Sequence, residues 1–471
     1  MPPCIRVCLW IPVLVLCFSS LPAASVTATP DAGWDALPGI LARIKAPQFP
    51  ARDFEITKYG AVAGIDCTEA IRQAVAACNQ AGGGRVVVPA GLWRTGAVRL
   101  LSNVNLFLAE GATLQFIPEP EKYLPLVLTR IGGIECYNYS PLIYAFEQEN
   151  IAVTGTGTLD GGASLGNWWG WTKRGKQAAQ DQTSRERLND MEKQGVPVAE
   201  RILGPGHYQR PNFIQPFRCR NVLVEGITVH HSPNWEINPV YCTNVTVRGV
   251  KIDTHGPNND GCDPDSCRDV LIEKSTFDTG DDCIAIKSGL NDDGRRVGIP
   301  SENIIIRDCV MKDGHGGVVL GSEISAGVRN VFVENCKMDS PNLERALRFK
   351  SNAQRGGVLE NVFMRNVEIG RVSEAIVTVD FLYAEGANGP HKPVVRNVHL
   401  ENVTSLSSPR VMWIVGFAGS IVDDIEFVNC AFKGVETAEV VTSAADIHFI
   451  NTTIEPAKKA RSLNSPEVVV P

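Results

Sequence analysis

One short phrase recurs along most of the chain: Asn or Asp, then Val or Ile, then residues that alternate between apolar and polar. The phrase first occurs near Asn103 and is clear from Asn221 onwards. Its clear copies begin at spacings of 23, 25, 34, 27, 31, 36 and 27 residues, at Asn221, Asn244, Asp269, Asn303, Asn330, Asn361, Asn397 and Asp424. Alternation of this kind is typical of short strands, and no long helical stripe separates the copies.

Short strands that return at such intervals without crossover helices predict a solenoid whose coils stack on one another. A parallel β-helix fits best, because equivalent residues of successive coils then lie about 4.8 Å apart and insertions only lengthen a turn. The alternative is a β-propeller, which needs about four strands per repeat and a more regular period. We therefore predict an all-β, single-domain parallel β-helix, although 471 residues alone would suggest about three domains of roughly 150 residues.

The sequence around the repeats predicts the boundaries of this domain. We place the β-helix at residues 51–455, with a lead-in at 25–50 and a C-terminal tail at 456–471. Residues 167–210 interrupt the pattern with a tryptophan cluster and a charged, helix-compatible stretch, so we interpret them as an insertion on one face. From Thr68 to Cys78 the apolar residues follow helical spacing, which predicts an N-terminal helix capping the open end of the solenoid.

The first 24 residues are typical of a secretory signal peptide. Arg6 precedes an apolar run over residues 7–18, and small residues follow near Ala24. The run is shorter than the roughly 20 apolar residues that cross a bilayer. We therefore expect a secreted or periplasmic protein that has no membrane anchor after cleavage and that is a monomer.

Cysteine usage argues against a disulfide framework. Of the 14 cysteines, Cys4, Cys8 and Cys17 lie in the predicted signal, and the 11 that remain are an odd number. Several recur at one position of the repeat, as Cys219, Cys242 and Cys267 do, two residues before the Asn or Asp of the phrase. This spacing predicts a ladder of small, buried, unpaired side chains.

The overall charge excludes one class of partner. The chain has 45 Lys and Arg against 52 Asp and Glu, a net charge of −7, and no long basic run. Binding to nucleic acid is therefore not expected. An anionic substrate would need positive partners placed locally.

Acidic residues are densest in two consecutive coils. Asp260, in the phrase Asn258-Asn259-Asp260-Gly261, is followed 21 and 22 residues later by Asp281 and Asp282. One short coil separates them, so the three carboxylates should lie side by side. Such proximity raises the pKa of at least one group and favours acid/base hydrolysis of a glycosidic bond. The alternative is that these residues cap coils or bind Ca²⁺.

The next two coils add a histidine and two cations to the same edge. His315 lies 34 residues after Asp281, and the alternation around Phe349 places Arg348 and Lys350 on one side of their strand. A guanidinium and an ammonium together suit a carboxylate, which points to a carboxylated sugar as substrate. A histidine between glycines is also typical of a turn.

Other candidates near this edge have two readings each. Lys287 and Arg345 either add to the positive field or pair with Asp265 or Glu344. The side chains of Trp235 and of the cluster Trp168-Trp169-Gly170-Trp171 either stack on sugar rings or pack in the interior, and we expect at most one of them to touch substrate.

At these motifs the chain resembles glycoside hydrolase family 28, the polygalacturonases. The resemblance runs from about Asp53 to about Thr453 and rests on four motifs in order: Asn258-Asn259-Asp260, where the family usually has Asn-Thr-Asp, Gly280-Asp281-Asp282, Gly314-His315-Gly316 and Arg348-Phe349-Lys350. It implies a right-handed parallel β-helix of the pectin-lyase-like type and hydrolysis with inversion. No metal and no cofactor are implied.

The resemblance also implies a role for each motif residue. Asp281 would be the general acid, Asp260 and Asp282 would hold and deprotonate the attacking water, and His315 would tune the acid. Substrate would be bound by Arg348, Lys350, Asn258 and Tyr383, the last of which resembles a late tyrosine of the family's cleft. Inverting enzymes separate acid and base by roughly 6.5–9.5 Å, which is more than one coil spacing, so stacking alone leaves the stereochemistry open.

The expected substrate is a pectic polysaccharide or oligogalacturonide, cleaved between α-1,4-linked galacturonic acid residues. Long loops at residues 167–210, 289–300 and 383–391 favour a cleft closed at one end and therefore exo action, as in the bacterial exo-acting branch of the family. A hydrolase acting on rhamnogalacturonan or a decorated pectin is the alternative. A pectate lyase and a non-catalytic carbohydrate-binding β-helix are further rivals.

Overall fold

The computed structural model describes residues 33–172 and 178–457, with the side chains of 178–183 excepted. The predicted signal peptide lies outside the described residues, as do residues 25–32 of the lead-in and 458–471 of the tail. Within the described ranges no helix combines the length and the apolar composition that a membrane span requires.

The chain winds into a right-handed parallel β-helix with three long sheets, which confirms the predicted fold class. Sheet A contains 14 strands: Asp53–Glu55, Gly84–Val88, Val104–Leu108, Glu149–Gly155, Arg220–Glu225, Thr243–Arg248, Arg268–Glu273, Ser301–Arg307, Val328–Glu334, Val358–Arg365, Val394–Glu401, Ile421–Val422, Ile425–Val428 and Ile447–Ile450. Sheet B contains 12 strands: Gly91–Thr95, Ala112–Phe116, Thr158–Asp160, Thr228–His230, Lys251–Thr254, Thr276–Thr279, Val310–Met311, Lys337–Met338, Glu368–Arg371, Thr404–Ser407, Ala431–Val435 and Thr453–Pro456.

Sheet C, which carries the site, consists of two runs of strands joined by isolated bridges. Its strands are Val98–Arg99, Ile143–Phe146 and Ile214–Phe217, then Ile284–Ile286, Val318–Leu320, Arg345–Lys350, Ala375–Asp380, Arg410–Val415 and Val440–Thr442. Single bridges from Ile214 to Ile237, then to Cys262 and then to Ile284 connect the two runs. The coils are therefore continuous across the segment that holds the acidic motifs.

The recurring phrase sets the register of sheet A. Val222 pairs with Val245, and Val245 pairs with Val270, so the apolar residue after each Asn or Asp stacks inside the solenoid. The leading asparagines adopt left-handed backbone angles, as at Asn244 with φ of 60°. The side-chain amide of Asn244 donates to the Asn221 side-chain oxygen at 2.7 Å, and the same contact recurs in later coils.

The cysteine ladder lies inside this stack. Every cysteine that the structure describes is buried and unpaired, as the sequence predicts. Cys242 and Cys267 are 1% and 0% exposed and occupy successive coils of the core.

Helices cover the end and one outer face of the solenoid. Helix α1 (Leu37–Arg43) packs against the outside of sheet A, where Arg43 pairs with Asp269 at 2.9 Å. Helix α2 (Thr68–Gln80) buries Ile71, Ala74, Val75 and Cys78 over the first coils, which confirms the predicted cap.

The insertion contains helix α3 (Ala178–Lys193), in the stretch predicted to be helix-compatible. Two features near it were not predicted: an antiparallel hairpin of Val127–Ile131 with Ile134–Asn138, and helix α4 (Asn291–Val297) within the loop at 289–300. Single 3-10 turns occur at Trp34–Ala36, Ile56–Tyr59, Pro120–Tyr123, Trp168–Trp171 and Val198–Glu200.

Candidate active site

Coil stacking brings the three acidic residues together at the start of sheet C. Because Cys262 bridges to Ile284, Asp260 and Asp282 each lie two residues before a paired position. The amide of Gly261 donates to the carbonyl of Asp282 at 3.0 Å, which fixes this register. One oxygen from each of Asp260, Asp281 and Asp282 lies within 4.8 Å of the others.

The three carboxylates differ in their access to solvent. The side chain of Asp281 is 20% exposed, whereas those of Asp260 and Asp282 are 4% and 1% exposed. Asp281 is therefore the acid that a substrate in the cleft can reach most easily.

His315 binds Asp281 directly. Its Nδ1 lies 2.9 Å from Asp281 Oδ1, and its Nε2 lies 3.9 Å from a Glu344 oxygen. The hydrogen bond to Asp281 raises the pKa of His315. Burial opposes ionisation of Asp281, but the His315 hydrogen bond and the charge of Lys350 outweigh burial and lower the pKa of Asp281.

Asp260 has the opposite electrostatics. Burial, together with the charges of Asp263 and Asp281, raises the pKa of Asp260 well above its usual range. In the ligand-free site a proton therefore resides on Asp260 more readily than on Asp281.

Arg348 and Lys350 both face the acidic cluster from the strand Arg345–Lys350. Lys350 Nζ lies 2.5 Å from Asp282 Oδ2, and Arg348 Nη1 lies 3.7 Å from Asp282 Oδ1. Although burial disfavours its charge, Asp282 raises the pKa of Lys350. Lys350 also lies 5.8 Å from the ring centroid of half-buried Tyr383. In this ligand-free arrangement both cations contact Asp282.

The two asparagines before Asp260 have different environments. Asn258 donates weakly to Asp281 at 3.5 Å and accepts from Arg210 at 2.8 Å, at the edge of the cleft. Asn259 is fully buried, and its side chain bonds to Thr254, Gly256, Ser232 and Asn234. Asn259 therefore holds the turn that presents Asp260. These contacts explain how Asn can take the position at which the family that the chain resembles usually has Thr.

Lys287 lies at the centre of a second charged cluster that the sequence did not resolve. Its Nζ is 3.5 Å from Asp260, 3.8 Å from Asp263 and 3.3 Å from Glu323. It does not pair with Asp265, which instead binds Arg130 at 2.8 Å. Despite burial, these carboxylates raise the pKa of Lys287 well above its usual range.

Arg345 pairs with glutamates, which was one of the two alternatives that the sequence left open. Its guanidinium contacts the carboxylates of Glu344 and Glu374, so it is engaged outside the acidic cluster. Trp168 and Trp171 are buried and Trp169 donates to the carbonyl of Ser232. Of these tryptophans and Trp235, only Trp235 lines the cleft, where Lys287 Nζ lies 4.3 Å from its ring centroid.

The cleft above these residues has a volume of about 770 Å³. Its walls come from the hairpin tip at Gly132, from α3, from the start of α4 and from residues 383–385. A Cβ on Gly133, which has φ of 80°, would lie 2.6 Å from the Leu290 amide nitrogen, so only glycine permits this close contact between hairpin and α4.

Ion pairs and hydrogen bonds to the fully buried Asp293 hold these walls together. Asp293 of α4 binds Arg201 at 2.6 Å and Arg296 at 2.9 Å, and its amide donates to Glu192 of α3 at 2.9 Å. The amide of Glu135, in the hairpin, donates to Asp293 at 2.9 Å. The insertion, the hairpin and α4 therefore form one connected wall.

Among the residues that the structure describes, two groups of side chains have a geometry that could hold a cation: Asp260 with Asp281 and Asp282, and the more exposed group of His255, Asp278 and Asp313. In the first grouping Lys287 and Lys350 already supply two ammonium charges.

Comparisons with known proteins identify a family and several relatives. The model of glycosyl hydrolases family 28 matches residues 205–459. A hyperthermoactive exopolygalacturonase from Thermotoga maritima has a similar structure, with a TM-score of 0.86 and 42% identity over 90% of this chain and 96% of that one.

Two sequence relatives add to this. An exo-poly-α-D-galacturonosidase of Dickeya chrysanthemi is 27% identical over 86% of this chain and 71% of its own. A probable polygalacturonase of grapevine (Vitis vinifera) is 30% identical over 64% of this chain, and the match spans 57% of the grapevine protein.

Proposed function

This chain belongs to glycosyl hydrolases family 28, and on that premise we propose that it hydrolyses α-1,4 bonds between galacturonate residues of pectic polysaccharide from a chain end. The observation that carries the proposal is the cluster of Asp260, Asp281 and Asp282, which lines one cleft together with Lys350 and has Arg348 3.7 Å from Asp282. The similar Thermotoga maritima and Dickeya chrysanthemi proteins bear names of exo-acting enzymes on galacturonan, which supports the choice of substrate and of exo action.

Asp281 is the proposed general acid, because it is the most exposed of the three carboxylates and His315 orients it. It gives a proton to the leaving glycosidic oxygen as the bond between that oxygen and the anomeric carbon breaks. Asp260 and Asp282 hold a water and accept its proton while its oxygen attacks the anomeric carbon. The acids gain one proton from the water and give one to the departing sugar, so the net charge of the site is unchanged. Proton exchange between the acids and solvent then restores the starting protonation of each acid.

Substrate binding would give Asp281 its proton. In the free site the pKa of Asp281 is lowered, in spite of burial, by His315 and by the cation Lys350. A substrate carboxylate beside Lys350 and Arg348 would neutralise those cations and exclude water, and both changes raise the pKa of Asp281. The proton that burial keeps on Asp260 can then pass to Asp281, which lies close to it.

We propose inversion, although the nearest carboxylate oxygens lie within 4.8 Å, closer than the roughly 6.5–9.5 Å typical of inverting enzymes. A retaining enzyme needs a carboxylate that reaches the anomeric carbon itself. Asp260 and Asp282 are 4% and 1% exposed, so a small water reaches the sugar more readily than either side chain does.

Metal-independent action is part of the proposal. Lys287 and Lys350 lie 3.5 and 2.5 Å from Asp260 and Asp282, so protein ammonium groups already balance the acids. Activity that is unchanged after chelation with EDTA supports this, whereas activity lost to EDTA and restored by Ca²⁺ contradicts it.

The experiment that tests the proposed function compares the purified protein on unsubstituted polygalacturonate and on rhamnogalacturonan. We expect reducing ends to accumulate on polygalacturonate while viscosity falls slowly, because the walled cleft admits only chain ends. Cleavage confined to rhamnogalacturonan refutes the substrate assignment, and a rapid loss of viscosity refutes exo action. An ultraviolet-absorbing product would indicate a lyase, and binding without product would indicate a carbohydrate-binding β-helix.

A further inference from the structure

Helix α3 presents different faces to the protein and to the cleft. Ser184, Leu188 and Glu192 recur every four residues and are buried. The Ser184 hydroxyl accepts from the Tyr208 amide at 3.1 Å, and Glu192 accepts from the Asp293 amide at 2.9 Å. Leu188 packs with apolar residues of the hairpin and of the loop before α4. This face fixes the rotation of α3 about its own axis.

The stripe of α3 residues that each follow one of these buried residues in the sequence faces the cleft. Arg185, Asn189 and Lys193 all line the cavity, and α3 also contributes Glu186 and Leu188 to its lining. Arg185 and Lys193 are exposed, and Asn189 is half-buried. The insertion therefore places two cations and an amide in a row along one wall of the cleft.

These two cations differ from the others in the cleft. Lys287 and Lys350 pair with the acidic cluster, Arg355 pairs with Glu385 at 2.7 Å, and Arg210 binds Asn258. Among the lysines and arginines that line the cavity, Arg185 and Lys193 have no hydrogen bond or ion pair to any part of the protein that the structure describes.

Unpartnered cations in a walled cleft are suited to an anionic ligand. Arg185 is also close enough to the cluster for its charge to help lower the pKa of buried Glu323, although burial opposes that shift and Lys287 contributes more. The α3 stripe therefore belongs to the same electrostatic environment as the acids, while it stands on a separate wall from Arg348 and Lys350.

We propose that Arg185 and Lys193 of α3, which stand about 12 Å apart along the helix axis, bind the carboxylates of further uronate residues of the substrate, apart from the one held by Arg348 and Lys350, and so select a polyuronate over a neutral chain. This inference rests on the proposed function, because it assigns a further binding contact within the same cleft. Asn189 stands between the two cations and offers hydrogen bonds to sugar hydroxyls.

The alternative is that α3 contributes only a general positive field. Arg187 separates the two explanations, because it is exposed on the same helix and does not line the cavity. It lies towards His207, whose pKa falls through burial and through the charge of Arg187. Arg187→Gln removes the same charge two residues away and is the matched control for Arg185→Gln.

The test is calorimetric titration of trigalacturonate into Asp281→Asn protein, which keeps the ligand intact, with and without each α3 substitution. We expect Arg185→Gln to raise Kd about 10-fold, as loss of one charge-assisted contact predicts, and Arg185→Lys to restore most of the affinity. Lys193→Gln should weaken binding in the same direction, and Arg187→Gln should change Kd less than about 2-fold.

Equal effects of Arg185→Gln and Arg187→Gln would overturn the inference in favour of a general field, and so would an unchanged Kd in Arg185→Gln. Activity of the unsubstituted protein on polygalacturonate is measured beside the titrations and reports on the proposed function alone. Cleavage with an unaltered Kd in Arg185→Gln refutes only the α3 contact, whereas no cleavage and no binding of trigalacturonate refutes both.

Discussion

Replacing Lys287 with methionine should destabilise the protein strongly, because it leaves three buried carboxyl groups, among them the ionised Glu323, without their shared cation. Lys287 Nζ lies 3.3–3.8 Å from Glu323, Asp260 and Asp263, and its side chain is only 3% exposed. Methionine has a similar length and flexibility, so the change removes charge more than volume.

The expected loss is about 3–5 kcal/mol of unfolding free energy, the cost of breaking a buried ion pair by removing one partner. The pKa of Glu323 gives a second measure of the free energy that these charges contribute. Burial raises its pKa, but Lys287 and then Arg355 outweigh burial and lower the pKa from 4.5 to about 2. At 1.36 kcal/mol per pKa unit, that difference corresponds to about 3 kcal/mol, which is what the cations around Glu323 contribute in excess of the cost of burying its charge.

The pH dependence has a definite sign. Because the folded pKa of Glu323 is depressed, its contribution is fully present above its ordinary pKa of 4.5 and is lost as pH falls towards about 2. The penalty of Lys287→Met should therefore be largest above about pH 5 and shrink in acid.

The assay is urea denaturation of wild type and Lys287→Met at pH 7 and pH 4, with Lys312→Met as control. Lys312 is 53% exposed and lies 3.5 Å from Asp278, a pair expected to contribute at most about 1 kcal/mol. A midpoint for Lys287→Met equal to that of Lys312→Met, at both pH values, would show that Lys287 does not stabilise these buried carboxyl groups.

Four further predictions concern the site and the core. Asp281→Asn should lower kcat by about 10²–10⁴-fold with little change in KM, measured by release of reducing ends, because it removes the proposed acid while keeping its shape. His315→Gln should raise the pKa of Asp281 and move the alkaline limb of the kcat pH profile, which reports the substrate complex, to higher pH; an unmoved limb would contradict the assigned contact. Arg348→Met should raise KM for oligogalacturonides by about 10-fold, since a carboxylate would lose one charged partner. Ile304→Ala, at a core position with no solvent exposure, should lower the unfolding free energy by about 2–5 kcal/mol in urea titration; a loss under 1 kcal/mol would count against the stacked core.

The sequence predicted the coils because each coil repeats the same physical requirement. An apolar residue after each Asn or Asp must point inward, so the spacing of the phrase gives the strand register that pairs Val222 with Val245 and Val245 with Val270. The neighbourhood of Asp260 and Asp282 follows from the same stacking, since one short coil separates them.

Features built from non-repeating segments could not be predicted in this way. The partners of Lys287 depend on which way a side chain turns inside a coil, and the sequence left Asp265 as a candidate when Asp260, Asp263 and Glu323 are the contacts. The wall of the cleft joins Glu192 to Asp293, which are 101 residues apart, through bonds that no local pattern records.

The electrostatics of the acids also needed the structure. Proximity predicted one raised pKa but not which residue has it. Burial beside Asp263 raises the pKa of Asp260, whereas His315 and Lys350 overcome burial and lower the pKa of Asp281.

The proposed reaction is attack of water on the terminal galacturonate in a single displacement within a walled cleft. Real-time NMR of a polygalacturonate digest tests it most directly, because it reports both the size and the anomeric form of the first product. We predict monomeric galacturonate that appears as the β anomer before mutarotation. First products of α configuration would contradict single displacement, and a broad mixture of oligomers would contradict attack at a chain end.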